Sequence, residues 1–232
     1  MKAKCISKFF SAIGAFFLIL TVSSCATEGL EFSRSDDRES AIVSGYNGLS
    51  SKVVIPSKRD GFSITGIGSG AFKDCDFLQS VKIPNSVTSI GYEAFEGCSS
   101  LTSIKIPDSV TSIGSMAFYG CSSLTSIAIP DSVTSIGYGA FNSCTSLTSI
   151  TIPDSVTSIE SMAFYGCSSL TSITIPDSVT SICNYAFDEC SSLTTVYYTG
   201  TKEQWNSITI DYANNELTSA NITYNYVEEE TE

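Results

Sequence analysis

The chain has 232 residues, is 42% hydrophobic, and carries 24 acidic against 12 basic side chains with no histidine. That hydrophobic content excludes a disordered polymer, and the missing imidazole excludes Ser-His-Asp and Cys-His catalysis and most catalytic zinc sites. The acid excess repels phosphate polyanions, so no nucleic acid partner is expected, and basic residues would not hold the chain on anionic lipid.

Residues 1–25, MKAKCISKFFSAIGAFFLILTVSSC, open with Lys2, Lys4 and Lys8, continue as an apolar run from Phe9 to Val22, and end in small residues before Cys25. The run is too short for the ~20 residues that span a bilayer, and it reads as the hydrophobic region of a secretory signal. VSSC resembles a relaxed bacterial lipobox, which implies cleavage before Cys25 and lipid on its thiol and amine. Residues 1–24 are then a lipoprotein signal peptide, Cys25 is the lipid-attachment site, and the membrane is a partner through that lipid. Ordinary secretory cleavage nearby, with Cys25 incidental, is the alternative. Without residues 1–24 the chain has 24 acids and 9 bases, a net charge of −15.

From residue 51 to 198 the sequence repeats. Cysteines at 75, 98, 121, 144, 167 and 190 are spaced by 23, as are prolines from Pro84 to Pro176 and phenylalanines from Phe72 to Phe187. Pro56 lies 28 residues before Pro84, which places a five-residue insertion around SKRDGFSITG. Within one unit, LTSITIPDSVTSIESMAFYGCSS (147–169), Ile150 and Ile152 face one way and Thr151 the other, as in a strand. Pro153-Asp154-Ser155 is turn chemistry. Val156 and Ile159 suggest a second short extended segment, and MAFYGC a single tight helical turn that delivers Ala163, Phe164 and Cys167 inward. No such unit buries enough to stand alone; stacking supplies the missing contacts, and like residues fall in columns roughly 4.8 Å apart.

LTSITI fits the L-x-x-L-x-L opening of a leucine-rich repeat, and the unit IPDSVTSIGxxAFxxCSSLTSI resembles the bacterial BspA-type leucine-rich repeats. The resemblance covers about Lys52 to Tyr198. It implies an α/β solenoid, a right-handed stack of 23-residue coils with a parallel sheet on one face and short helical turns on the other. It also implies secreted or surface-attached, non-enzymatic proteins that bind other macromolecules, often host matrix proteins or other cells. LEFSRSDDRESAIVSGYNG resembles that family's leading hairpin, making 25–50 the lipid-attachment site and N-terminal cap. YYTGTKEQWNSITI resembles its closing segment, making 199–232 the C-terminal cap and acidic tail. Thr201 to Gln204, TKEQ, is a capping-box pattern, so Trp205 and Ile208 should cover the last coil, with ANITYNYV as a final strand.

The columns differ in what they offer. Parallel cysteines ~4.8 Å apart exceed the Cβ separation of a disulfide and read as small buried hydrophobes, with neither metal nor cofactor implied. Whether Cys183 meets Cys190 stays open. Asp108, Asp131, Asp154 and Asp177, headed by Asn85, read as turn residues that bond their own backbone, with a weak calcium ladder as the alternative. Threonine columns suit wet strands, and regular hydroxyls could also match a sugar or ice lattice. The Tyr and Met positions on the turn side, Tyr92, Met116, Tyr138, Met162 and Tyr185, read as recent copying of a paired unit. Variation is more informative than repetition, and the outward strand position varies: Lys82, Lys105, Ala128, Thr151, Thr174 and Tyr197 should line the sheet face and meet a partner. The expectation is a monomeric, lipid-anchored protein of the bacterial envelope, at the outer membrane or cell surface, binding a protein or glycan of a host or neighbouring cell. A structural component of the envelope with no external ligand is the alternative.

Overall fold

The computed structural model describes residues 27–35 and 39–227. The segment expected to be a signal peptide (1–24), Cys25 and the acidic tail at 228–232 lie outside the described residues.

Each coil begins with a short strand such as Ser103–Lys105, whose middle residue, Ile104, is buried while its neighbours face out. The following Pro107 has no N–H to give a ladder, so the strand ends, and Val110 N–H closes a turn on the Pro107 carbonyl at 3.0 Å. A two-residue strand such as Ser112–Ile113 comes next. Equivalent strands of successive coils pair in parallel and in register: Ser103 beside Ser126, Ile104 beside Ile127, Lys105 beside Ala128. There are therefore two ladders. The front ladder runs through Lys52–Val54, Ser80–Lys82, Ser103–Lys105 and Ser126–Ala128, then Ser149–Thr151, Ser172–Ile175, Thr195–Tyr198 and Asn221–Thr223. The side ladder runs from Phe62–Ile67 through Ser135–Ile136, then from Ser158–Ile159 to Thr209–Ile210.

The third side is where the structure departs from expectation. MAFYGC does not make a helical turn; it makes a chain of overlapping tight turns. Residues two before and two after each core phenylalanine have positive φ, 55° at Met116 and 69° at Gly120, which turns alternate peptide groups to point along the stack. Ala117, Tyr119 and Cys121 donate within the coil to Gly114, Met116 and Phe118. Met116, Phe118 and Gly120 donate to Tyr138, Ala140 and Asn142 of the next coil, each at 2.8 Å. Backbone groups that a helix would satisfy internally thus join neighbouring coils on this side as well.

The core is a set of vertical columns. Six phenylalanine rings, Phe72 to Phe187, stack at centroid distances of 5.1–5.5 Å and within 16° of parallel. The thiols of Cys98, Cys121, Cys144, Cys167 and Cys190 each donate to the carbonyl of the phenylalanine one coil earlier, at 3.1–3.3 Å.

Both ends are sealed. The expected hairpin is Leu30–Arg34 against Ser40–Tyr46, and its second strand pairs in parallel with Phe62–Ile67. Tyr46 lies 5.6 Å from Phe72 and covers the phenylalanine stack. The inserted residues form their own small hairpin, Lys58–Arg59 against Ser63 and Phe62, turning at Asp60 and Gly61, whose φ of 51° and 86° suits a two-residue turn. At the other end Thr201 and Gln204 make the capping box of a helix α1 (Lys202–Trp205), and buried Trp205 meets Tyr198 edge-on at 5.1 Å. Asn221–Thr223 adds the expected last strand. A second helix, α2 (Asn215–Ser219), was not foreseen. Before it, buried Asn214 accepts the Phe187 N–H through its side-chain oxygen at 3.0 Å, the bond that a further coil's carbonyl would otherwise take.

One boundary inside the stack is looser. No ladder bonds join Ser126–Ala128 to Ser149–Thr151, or Ser135–Ile136 to Ser158–Ile159. The phenylalanine stack and the turn bonds cross the same boundary intact, with Phe141 N–H to the Ala163 carbonyl at 2.9 Å.

Candidate functional site

The front ladder places Lys82, Lys105, Ala128, Thr151, Thr174 and Tyr197 on one face, in one column. Lys82 pairs with Lys105, Lys105 with Ala128, Thr151 with Thr174, and Thr174 with Tyr197. The first four are exposed and the last two half-buried. The column is longer than the repeat pattern suggested: Val54 extends it below Lys82 and Thr223 above Tyr197. These two were missed because the insertion after Pro56 shifts the spacing and the last strand carries no repeat motif. Tyr226 was missed for the same reason, and its ring lies 4.4 Å from that of Tyr197.

Three zones follow along this face. Its N-terminal end carries Lys52, Lys82 and Lys105. At the loose boundary, Ala128 and Thr151 flank a shallow recess of about 380 Å³ lined also by Ser126, Ile127, Ile129, Ser149 and Ile150. The C-terminal end presents hydroxyls and the Tyr197–Tyr226 pair.

The other columns serve the stack. Threonine hydroxyls donate to the backbone carbonyl one coil earlier, Thr148 to Thr125 at 3.3 Å and Thr171 to Thr148 at 3.0 Å, so a free hydroxyl lattice is not what they form. The serine after each Asp does the same, Ser109 reaching the Val87 carbonyl at 2.6 Å. The aspartates themselves were expected to bond their own turns, and they do not. Asp108, Asp131, Asp154 and Asp177 are exposed; among them a side-chain contact is seen only at Asp177, with Gln204 at 3.4 Å. No group of three metal-ligating side chains occurs among the described residues. Burial pushes the thiols of Cys121 and Cys167 up to about 12, which suppresses the thiolate that metal binding or nucleophilic attack requires. Cys183 and Cys190, left open by the sequence, are both free thiols. On the turn side Tyr92 and Tyr138 are exposed, and the Tyr138 hydroxyl donates to the Met162 sulfur at 2.9 Å. Lys73 bridges Glu93 at 2.5 Å and Glu96 at 2.9 Å, tying the first two coils together.

Comparison with known proteins agrees with this architecture. The model of the BspA type leucine rich repeat region matches six copies, over residues 65–194 and 111–228. The crystal structure of the T. pallidum leucine rich repeat protein is 34% identical with a TM-score of 0.70, over 74% of this chain and 83% of that one. A leucine rich cell surface protein from Faecalibacterium prausnitzii is also 34% identical, with a TM-score of 0.60, over 80% of this chain but 42% of its own length. The pneumococcal vaccine antigen PcpA shares the fold at 20% identity and a TM-score of 0.62, over 84% of this chain and 46% of that one. No curated protein matches. With its six repeat copies and these structural relatives, the chain belongs to the BspA-type leucine-rich repeat family.

Proposed function

We propose that this protein is a lipid-anchored, non-enzymatic binding protein of the bacterial envelope, held by lipid at Cys25 and contacting a protein or glycan of a host or neighbouring cell through its front ladder. One observation carries the reading. The inward columns hardly vary from coil to coil, whereas the outward column changes from Lys to Ala to Thr to Tyr while keeping register within each of the two paired stretches of the ladder. Packing explains the uniform columns; it places little demand on the varied one, which is exposed from Lys82 to Thr151 and half-buried only at Thr174 and Tyr197. A relative described as a cell surface protein supports the location. Monomeric behaviour is expected because both ends of the stack are covered.

The test has two arms. Protease treatment of intact cells should remove the protein, and survival would favour an internal structural component. Matrix proteins and whole cells should be captured by the purified chain, and replacing Lys82, Lys105 and Tyr197 together by Ala should reduce capture at least about tenfold, as expected when central contacts are lost. Undiminished capture would place the contact elsewhere.

A further inference from the structure

Carboxylates outnumber bases two to one in this chain, so a basic side chain has acids available on most of the surface. Several described bases are engaged: Arg59 with Asp60, Lys73 with Glu93 and Glu96, and Arg34 over the Phe62 ring at 4.4 Å. Lys52, Lys82 and Lys105 are not. They stand exposed on three successive rungs of the front ladder and form no ion pair among the described residues. Lys82 and Lys105 lie directly side by side. Like charges opposite each other on a sheet are destabilising, so the stack gains nothing from this arrangement. After Lys105 the chain has fourteen acids and a single base, Lys202, so positive charge is confined to the N-terminal end of the face.

The patch is not purely ionic. Val54, 37% exposed, is the register partner of Lys82, and Leu49, 78% exposed, stands in the segment leading into the same strand. We propose that this end of the front face binds a short acidic segment of a partner protein, one that combines carboxylates with apolar side chains. The proposal rests on the front face being the binding surface. Carboxylates would pair with the three lysines, and apolar side chains would cover Val54 and Leu49. A sulfated glycan meets the lysines but offers nothing to the apolar residues. Charge range points the same way. Fields are screened over about 8 Å at physiological salt, so a short segment responds to the local lysines. A long polyanion also runs over the acidic remainder and is repelled there.

The probe is a fluorescein-labelled dodecapeptide with Glu alternating with Leu and Val, titrated into the purified full chain and followed by anisotropy. Saturable binding is expected, weakening severalfold when salt is raised. K82E/K105E should weaken it at least about tenfold, and K82Q/K105Q by a smaller factor, because the first adds repulsion and the second only removes attraction. Neither variant should lower the melting temperature, since neither side chain is buried and the lysine pair contributes no stability. No binding by the wild type overturns the proposal. So does equal binding by K82E/K105E, or displacement of the peptide by heparin with heparin the tighter ligand. If Tyr197→Ala abolishes capture of cell-surface partners while K82E/K105E does not, this inference fails and the front-face reading stands; if neither variant affects capture, the front-face reading itself fails.

Discussion

Lys73 shows how a side chain that breaks the repeat can still join coils. It reaches across to Glu93 and Glu96 of the next coil, and its hydrogen bond, followed by that from Tyr92, holds the Glu93 carboxyl below the usual carboxylate range. The unfolded chain therefore binds the Glu93 proton more tightly than the folded one does. The stabilisation is complete above the ordinary carboxylate value near 4.3 and is lost as pH falls through the lower folded value. All three groups are partly exposed, which limits the effect to about 1 kcal/mol or less. Lys73→Met should thus cost that amount at pH 7 and almost nothing well below pH 4, with urea unfolding at both pH values as the measurement. An equal loss at both would mean that the side chain acts through packing and not charge. The cysteines make a different point at this scale. Sequence identified the six in register as small buried hydrophobes, but not that Cys98, Cys121, Cys144, Cys167 and Cys190 also donate to a phenylalanine carbonyl, because that bond depends on the offset between coils.

At the scale of an element, the corner after each side strand decides how closely coils approach. A Cβ placed on Gly114 would lie 2.7 Å from the Gly91 carbonyl carbon, and one on Gly137 would lie 2.5 Å from Ser115 N, so this corner is closed to side chains where both ladders are continuous. The glycine column ends at Glu160, and the boundary between Gly137 and Glu160 is the one where both ladders open. Cys183 follows without such an opening, its N–H bonding the Ile159 carbonyl at 2.9 Å, so a side chain is accommodated once the coil beneath also carries one. Gly114→Ala should destabilise by about 1–3 kcal/mol, the usual cost of forcing atoms into a packed contact. Glu160→Gly should close the boundary and raise the melting temperature, because each recovered ladder bond contributes about 0.5–1.5 kcal/mol against a glycine cost near 1 kcal/mol. If Gly114→Ala is neutral, or Glu160→Gly lowers the melting temperature, the corner does not govern the spacing.

Across the whole molecule, the legible features were those written once per coil. Spacing by 23 residues gave the stack, its register and the varied outward column. The TKEQ pattern gave the capping helix because a capping box is local. What escaped was written only once or only in three dimensions. Asn214 is a lone polar residue whose role exists only because Phe187 N–H has no further coil above it. The turn side was misjudged because MAFYGC has helix-forming residues, while the structure is set by bonds to the next coil that no single unit displays. The loose boundary could not be read either, since Glu160 is acceptable in an isolated unit and stands out only as the end of the column that Gly137 belongs to.

Coils are stitched to their neighbours through the turns at every step and through both ladders everywhere except the one loose boundary, and this fixes which side chains share the outer face. Native-state hydrogen exchange tests it directly. The amides of Phe72, Phe95, Phe118, Phe141 and Phe164, which donate to the next coil, should exchange as slowly as those of the strand isoleucines. Exchange of these five within seconds, while the strands stay protected, would show that the turn side is not joined and would contradict the account.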